Sequence, residues 1–210
     1  MDNTGCANGY DSAEFWDQYA QFLEESRGRH RSAVTSLTFR KTRPRSVLDL
    51  GCGAWNSAFD LLYESPSTTK PFSYLGVDLP TVPNDGGHSL LRCDYRRDLG
   101  LIQRACAMDP PNVFVSFFST ELSANAEDNL ALYHKLFEVF PIDWALVSGF
   151  FYSDHPGEET VMEAGGLRSY QTISDLYIGD TFTERRLTLP APSSLFGPSV
   201  VEVFRLLTRG

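Results

Sequence analysis

The stretch SVLDLGCGAW, residues 46–55, decides the fold of this chain. Its first five residues are mostly apolar with an acid at Asp49, and such a short run is typical of a buried parallel strand. Gly51 and Gly53 follow at once. Because glycine has no Cβ, the chain can turn sharply there and a ligand can approach the backbone. The amides of this turn, and the start of a helix expected near residue 54, would attract a negatively charged group.

Short apolar runs alternate with helical patterns along the rest of the chain. The predicted strands are SVLDL (46–50), YLGVDL (74–79), SLLRCD (89–94), NVFVSFFS (112–119), DWALVSGFFY (143–152), TERRLTL (183–189) and VVEVFRLLT (200–208). The predicted helices cover residues 12–27, 54–64, 98–107, 127–140 and 168–177. This alternation predicts βαβ units, a parallel sheet and helices on both faces. Only PAPSSLFGPS (190–199) separates the last two strands, which therefore form an antiparallel hairpin at one edge.

Composition limits the classes of function. A chain of 210 residues with 42% hydrophobic residues forms one globular domain, here residues 46–210, with residues 1–45 as a helical extension. The formal net charge of −9 argues against nucleic acid as a partner, because phosphate contacts need a basic face. The one basic cluster, residues 27–45, is either a solvated connection or a docking patch for an anionic partner.

Several signals are missing from the sequence. It has no apolar run of about 20 residues that could span a membrane, and the N-terminus lacks the pattern of a secretory signal. The cysteines are widely spaced without a C-x-x-C pair, which predicts free thiols and no metal site. They are Cys6, Cys52, Cys93 and Cys106. We therefore expect a cytoplasmic protein that does not enter a membrane, with no prediction of oligomeric state.

Two acids extend the ligand site predicted at the glycine turn. Asp78 ends the second predicted strand, where a carboxylate can accept hydrogen bonds from both hydroxyls of a ribose. Asp94 ends the third predicted strand, where it can accept a hydrogen bond from an exocyclic amine, and Tyr95 beside it can stack on an aromatic base. In an open parallel sheet, ligands bind outside the carboxyl ends of the strands. Together these residues describe an adenosine with a short polar tail.

The motifs VLDLGCG, GVDL and CDY resemble those of class I S-adenosylmethionine-dependent methyltransferases, over residues 46–210. The resemblance implies a Rossmann-like α/β fold, with a seven-stranded, mostly parallel sheet and an antiparallel last strand. It also implies S-adenosyl-L-methionine as the cofactor. The residues that it assigns to the cofactor are Asp49, Gly51 and Gly53 at the methionine part, Asp78 at the ribose with Leu79 among the contacts, Asp94 and Tyr95 at the adenine, and Ser119, Thr120 and Glu121 beside the methyl donor.

The match departs from the family pattern at two places. Trp55 stands where a third glycine often follows, which affects how closely the helix start approaches the ligand. The segment FFSTELS (117–123) replaces an N-P-P-Y-like motif, so methylation of a base or amide nitrogen by that route is not expected. The segment FWDQYA (15–20) resembles, more loosely, a segment that covers the cofactor in small-molecule methyltransferases. Its aromatic residues either pack simply or form a lid with Tyr19 over the ligand.

The resulting hypothesis is a methyltransferase that acts on O or N of a small-molecule acceptor. His155 and Glu121 are the candidate catalytic residues, each able to accept a proton from the acceptor. The alternative readings are a surface loop position for His155 and a helix cap for Glu121. A protein or peptide methyltransferase and a non-catalytic binding subunit remain open. A nicotinamide oxidoreductase is disfavoured, because Asn56 stands where a dinucleotide fingerprint has a small residue.

Overall fold

The structure, a computed structural model, describes residues 34, 38–39, 43–52, 72–79, 89–117, 119–120, 126–152, 181–190 and 200–210. The elements in these ranges, in chain order, are β1 (Ser46–Leu50), β2 (Ser73–Asp78), β3 (Leu90–Arg92), α1 (Leu99–Ala105), β4 (Val113–Phe117), α2 (Ala126–Val139), β5 (Trp144–Tyr152), β6 (Phe182–Pro190) and β7 (Val200–Arg209). Val34, Thr38 and Phe39 are also helical.

The strands form one seven-stranded sheet in the order β3-β2-β1-β4-β5-β7-β6. The first five strands pair in parallel, whereas β7 runs antiparallel to both β5 and β6. This arrangement confirms the predicted mostly parallel sheet, its antiparallel last strand and the hairpin at one edge. The strand order reverses between β1 and β4, and such a point is where open α/β sheets bind their ligands.

The predicted strands agree with the observed ones to within one or two residues at each end. β1 has the predicted bounds, while β3 covers only Leu90–Arg92 instead of 89–94. The strand ends early because the chain turns at Asp94, whose carbonyl accepts hydrogen bonds from the amides of Arg97 and Asp98. The predicted helices 98–107 and 127–140 correspond to α1 and α2. The predicted helices 12–27, 54–64 and 168–177 lie outside the described residues.

Two apolar layers enclose the sheet. On one side, which we call the α2 face, α2 contributes Leu132, Tyr133, Leu136 and Phe137 to a core with Leu48, Leu50, Phe114 and Val147 of the strands. On the other side, the Phe39 face, Phe39 packs edge-on against Phe72 and Trp144, with ring centroids 5.9 and 5.5 Å apart. Burying one such aromatic side chain stabilises the fold by about 1.5–3 kcal/mol. β4 is buried along its whole length because it is covered from both sides.

The described part of the extension already belongs to this core. Phe39 is 3% exposed and lies in the same apolar cluster as Val113 and Leu146 of the sheet. This contact does not test the predicted boundary between a helical extension (1–45) and the domain (46–210), which stays a prediction. Among the helices that the structure describes, none is long and apolar enough to cross a membrane.

Candidate functional site

The turn after β1 has the backbone conformation that the sequence predicts for it. Gly51 has a φ of 70°, in the left-handed region that residues with a side chain rarely adopt. Its amide donates a hydrogen bond to the carbonyl of Val77 in β2 at 2.7 Å, which fixes the turn to the neighbouring strand. A Cβ at Gly51 would overlap the side chain of Ser119, which follows β4. Glycine is required here both by the conformation and by the contact.

A buried serine joins the ends of β1 and β4. The hydroxyl of Ser116 donates to the carbonyl of Leu50 at 2.9 Å and accepts a hydrogen bond from the amide of Thr120 at 3.2 Å. Ser116 is fully buried, so these bonds are protected from water. They hold the segment after β4 directly beside the glycine turn.

Asp78 and Leu79 lie at the carboxyl end of β2, at the same edge of the sheet. The Oδ1 atom of Asp78 accepts a hydrogen bond from the amide of Leu79 at 2.7 Å. Asp78 is half-buried and Leu79 is 50% exposed. A carboxylate has about four acceptor positions, and the bond from Leu79 uses one of those of Asp78.

Asp94 shapes its own turn at the end of β3. Its Oδ1 atom accepts the amide of Arg96 at 3.0 Å, and its Oδ2 atom lies 3.3 Å from Nε of Arg97. The side chain remains 35% exposed. Each oxygen therefore has a partner within the turn, and a further lone pair on each can still accept from an exocyclic amine.

The ring of Tyr95 is used for packing. Tyr95 is 9% exposed and belongs to the core of the α2 face, so its ring offers little surface on which a base could stack. Its hydroxyl lies 3.0 Å from Oγ of Ser119. β3 and β4 are separated in the sheet by β2 and β1. The turn after β3 thus crosses the ends of two strands to reach the segment after β4.

Arg96 secures this crossing. Its guanidinium donates to the carbonyl of Thr120 at 2.9 Å and to Oδ1 of Asn129, in α2, at 2.6 Å. It also lies 5.6 Å from the centre of the Tyr95 ring. We call Arg96, Thr120 and Asn129 the arginine clamp. Arg96 and Asn129 were not predicted from the sequence, because contacts between residues 24 and 33 positions apart leave no local signal.

Asp49 is a buried carboxyl group within the strand that leads to the turn. It is 1% exposed, and the hydroxyl of Tyr74 in β2 donates a hydrogen bond to its Oδ2 atom at 2.7 Å. Burial raises the pKa of Asp49 to about 7; the hydrogen bond from Tyr74 opposes this rise, and the charge of Asp78 adds to it. Burial, with the charges of Asp49 and Asp78, also raises the pKa of the Cys52 thiol well above its usual range. That thiol is therefore protonated at neutral pH and is not a nucleophile there.

The site is thus acidic, with hydroxyl groups between the acids. The carboxyl groups of Asp78 and Asp94 lie at the end of β2 and just after β3, the buried carboxyl group of Asp49 lies within the adjacent β1, and the glycine turn stands at the reversal of strand order. Such a set suits a ligand that carries hydroxyls, an amine and positive charge. Within the described ranges, no group of three or more His, Cys, Asp or Glu side chains could hold a metal ion.

Four of the predicted site residues lie outside the described residues. They are Tyr19, Gly53, Glu121 and His155. Their roles stay predictions. The structure brings together Gly51, Ser119 and Tyr95 by contact, and it places Asp49 and Asp78 close enough for their charges to interact.

Comparison with solved structures shows which fold this is. The plantazolicin methyltransferase BpumL, solved with SAH and a monoazolic desmethylPZN analog, matches with a TM-score of 0.61 at 12% identity, over 95% of this chain and 91% of that chain. A cyclopropane-fatty-acyl-phospholipid synthase-like protein from Lactobacillus casei matches with a TM-score of 0.59 at 15% identity, over 96% of this chain and 95% of that chain. No family model and no curated protein matches the sequence.

The methyltransferase domain of bacterial CtHen1 also matches, with a TM-score of 0.52 at 16% identity, over 85% of this chain and 97% of that chain. These proteins resemble this chain in structure and share little of its sequence. The likeness shows that this chain has the class I methyltransferase fold, as the motifs around Gly51 imply.

Proposed function

We propose that this protein is an S-adenosylmethionine-dependent methyltransferase that transfers a methyl group to O or N of a small-molecule acceptor. One observation supports this most strongly. The glycine turn lies where the strand order reverses, and of the two strands on its β2 side, β2 ends at Asp78 and β3 is followed after one residue by Asp94. Ligands of open α/β sheets bind at this position.

The residues at this edge fit the cofactor. Because Gly51 has no Cβ, the side chain of Ser119 packs directly against the glycine turn, and in this proposal the cofactor's methionine part lies beside both residues. Asp78 is the residue for the ribose hydroxyls and Asp94 the residue for the adenine amine. Because the ring of Tyr95 is buried, its contribution is the hydroxyl that orients Ser119. Leu79, half exposed beside Asp78, offers an apolar surface for the nucleoside.

When bound, the cofactor supplies a methyl group on a sulfonium, which is reactive without metal or covalent help from the protein. The task of the chain is therefore to orient. Holding an acceptor in line with the methyl group can lower the barrier by several kcal/mol. In this proposal Ser119 and Thr120 stand beside the methyl group, and the arginine clamp holds them there. Glu121 and His155 are the proposed proton acceptors.

The acceptor class rests on charge. A net charge of −9 disfavours a polyanionic acceptor such as RNA, although the CtHen1 domain has the same fold. The BpumL complex with a monoazolic desmethylPZN analog keeps a peptide-like acceptor open as the second candidate. A binding subunit without activity is the third.

Titration calorimetry tests cofactor binding. We expect S-adenosylmethionine and SAH, its demethylated product, to bind with micromolar affinity, and NADH to bind much more weakly. Heat from NADH alone would instead point to a dinucleotide enzyme and overturn the proposal.

Transfer of a labelled methyl group distinguishes the acceptor classes. The protein is incubated with labelled S-adenosylmethionine and with phenols, amines and carboxylic acids, then with peptides and with RNA. Label in a small-molecule pool supports the proposal, and label in peptide or RNA alone replaces it with that acceptor class. Binding of cofactor with no transfer to any pool favours the non-catalytic subunit.

A further inference from the structure

The pair formed by Asp49 and Tyr74 lies inside the sheet. In the parallel register, Asp49 stands opposite Gly76 of β2 and Val115 of β4. Its side chain shares the Phe39 face with Val47, because side chains alternate along a strand. A carboxyl group that is 1% exposed in the centre of a sheet is costly when charged, unless it has a charged or hydrogen-bonding partner.

Among the residues that the structure describes, no positively charged group acts on Asp49. Among the described residues, the groups that act on its ionisation are the hydroxyl of Tyr74 and the carboxylate of Asp78. The thiol of Cys52 lies near the same two carboxyl groups. On its other side, β4 contributes no ionisable side chain over Val113–Phe117. In the part of the chain that the structure describes, no cation forms an ion pair with Asp49.

We propose that the Asp49–Tyr74 pair couples ligand binding to proton release: a ligand with a positively charged tail binds with loss of the proton from the Asp49 carboxyl group, and Tyr74 is the positioning residue that holds this carboxyl group under the glycine turn. The inference rests on the proposed function, since S-adenosylmethionine carries both a sulfonium and an ammonium on its tail. The proton passes to the buffer, and no bond of the ligand changes.

The amount of proton release follows from the ionisation of Asp49. With a pKa of about 7 in the free protein, Asp49 is half protonated near neutral pH. A positive charge close to a carboxyl group favours its ionised form and lowers its pKa. We therefore expect binding at pH 7 to release about half a proton, with about 0.9 at pH 6 and about 0.1 at pH 8.

The affinity then depends on pH with a defined sign. Below the free-protein pKa of Asp49, the cationic ligand must displace a proton, so affinity falls as pH falls. The limit is about tenfold per pH unit, reached where a full proton is released. Above pH 8 the affinity is independent of this group, because Asp49 is already ionised.

Tyr74 acts through Asp49. Its hydroxyl donates to the carboxylate and so favours the ionised form. Tyr74→Phe should therefore raise the pKa of Asp49 and move the whole release profile to higher pH. At pH 8 the variant should release clearly more protons than the unmodified protein. Tyr133→Phe is the matched control, because it removes another buried tyrosine hydroxyl, one that lies 3.0 Å from Oγ1 of Thr120.

Calorimetry in buffers of different ionisation enthalpy counts the protons directly. The probes are S-adenosylmethionine and 5′-methylthioadenosine, a neutral nucleoside that lacks the charged tail. We expect proton release with the first probe, less than about 0.1 proton with the second, and loss of the release in Asp49→Asn. Asp143→Asn, at the opposite end of the sheet, is the charge-matched control and should release as the unmodified protein does.

Two results would overturn the inference. One is binding of S-adenosylmethionine without proton exchange between pH 6 and 8, and the other is equal release by both probes. Either result leaves the proposed function standing, because the cofactor still binds. Failure of S-adenosylmethionine to bind at any pH removes the proposed function and this inference together. If Asp49→Asn does not fold, the number of protons released at each pH by the unmodified protein and by Tyr74→Phe still tests the inference.

Discussion

The two halves of the sheet use polar side chains in different ways. In the half formed by β1 to β4, the strands have three to six residues, and Asp78 and Asp94 stand at or just after strand ends. In the half formed by β5 to β7, the strands have nine or ten residues, and the polar groups stand in mid-strand. The short strands leave their polar groups where a ligand can reach them.

In the hairpin half, buried polar side chains contact one another across the strands. Arg205 is 2% exposed, and its Nε donates to Oε1 of Glu184 on β6 at 2.8 Å. Burial opposes ionisation of Glu184, but the hydrogen bonds and charges of Arg186 and Arg205 outweigh it, so the pKa of Glu184 is lowered. On the other face, Ser148 donates to Glu202 at 2.8 Å. The comparison teaches that the mid-strand polar groups of the hairpin half bond to one another within the sheet, whereas Asp78 and Asp94, at or just after strand ends, remain partly exposed.

The largest expected loss of unfolding free energy follows a substitution in the hairpin half of the sheet, β5 to β7. Arg205→Ala removes a large, fully buried side chain and its bond to Glu184, which keeps its bonds to Arg186, and truncating a large buried side chain costs about 3–5 kcal/mol of unfolding free energy. Urea denaturation measures it. Arg185→Ala, at an exposed position of β6, should change stability by less than about 0.5 kcal/mol. The folded fraction of Arg205→Ala should still bind the cofactor normally. A loss of less than about 1 kcal/mol of unfolding free energy in Arg205→Ala would contradict the distinction between the two halves of the sheet.

A substitution in the glycine turn should have the next largest effect on the free energy of unfolding. Gly51→Ala forces a side chain into the left-handed region, at about 1–2 kcal/mol, and into the space of Ser119, at about 1–3 kcal/mol more. Thermal or urea unfolding gives the total. Adding Ser119→Gly in the same chain should remove the cost of the overlap with Ser119 and leave the cost of the left-handed conformation. If the double variant is no more stable than Gly51→Ala, the contact with Ser119 is not the source of the cost.

Asp78→Ala should affect binding and leave the fold intact. Hydrogen bonds to a charged group are worth about 1.5–3 kcal/mol each, so the loss of one lowers the affinity for SAH by about ten- to a hundredfold. Calorimetry measures the affinity and a melting curve reports the fold. Asp143→Ala, which removes the same charge at the opposite end of the sheet, should bind SAH as the unmodified protein does. Unchanged affinity in Asp78→Ala would mean that the ribose lies elsewhere.

The arginine clamp gives the smallest effect. Arg96→Lys keeps the charge but replaces the Nη2 atom that donates both bonds, to Thr120 and Asn129, by an ammonium on a shorter side chain, which should cost about 0.5–1.5 kcal/mol of unfolding free energy. Hydrogen exchange at the amide of Thr120 should become faster. Arg97→Lys is the control, since Arg97 is 86% exposed and its ion pair contributes little. Equal exchange rates in both variants would show that the clamp does not hold the segment after β4.

Much of the fold and part of the site could be predicted from the sequence. Apolar runs predicted the strands, because burial from both sides needs continuous apolar residues, and β1 agrees to the residue. The left-handed glycine was predictable because no other residue adopts that conformation easily. Tyr74 was not predicted to contact Asp49, since the pairing depends on the register between β1 and β2. The burial of Tyr95 likewise depends on where the turn after β3 crosses the sheet.

A crystal structure of the protein with SAH tests the central claim most directly. We expect density for the nucleoside along the ends of β1, β2 and β3, with the ribose hydroxyls within hydrogen-bond distance of Asp78 and the adenine amine near Asp94. We also expect the tail to lie over Gly51, beside Ser119. Density for SAH at another part of the sheet, or a site that stays empty at saturating SAH, would contradict the account.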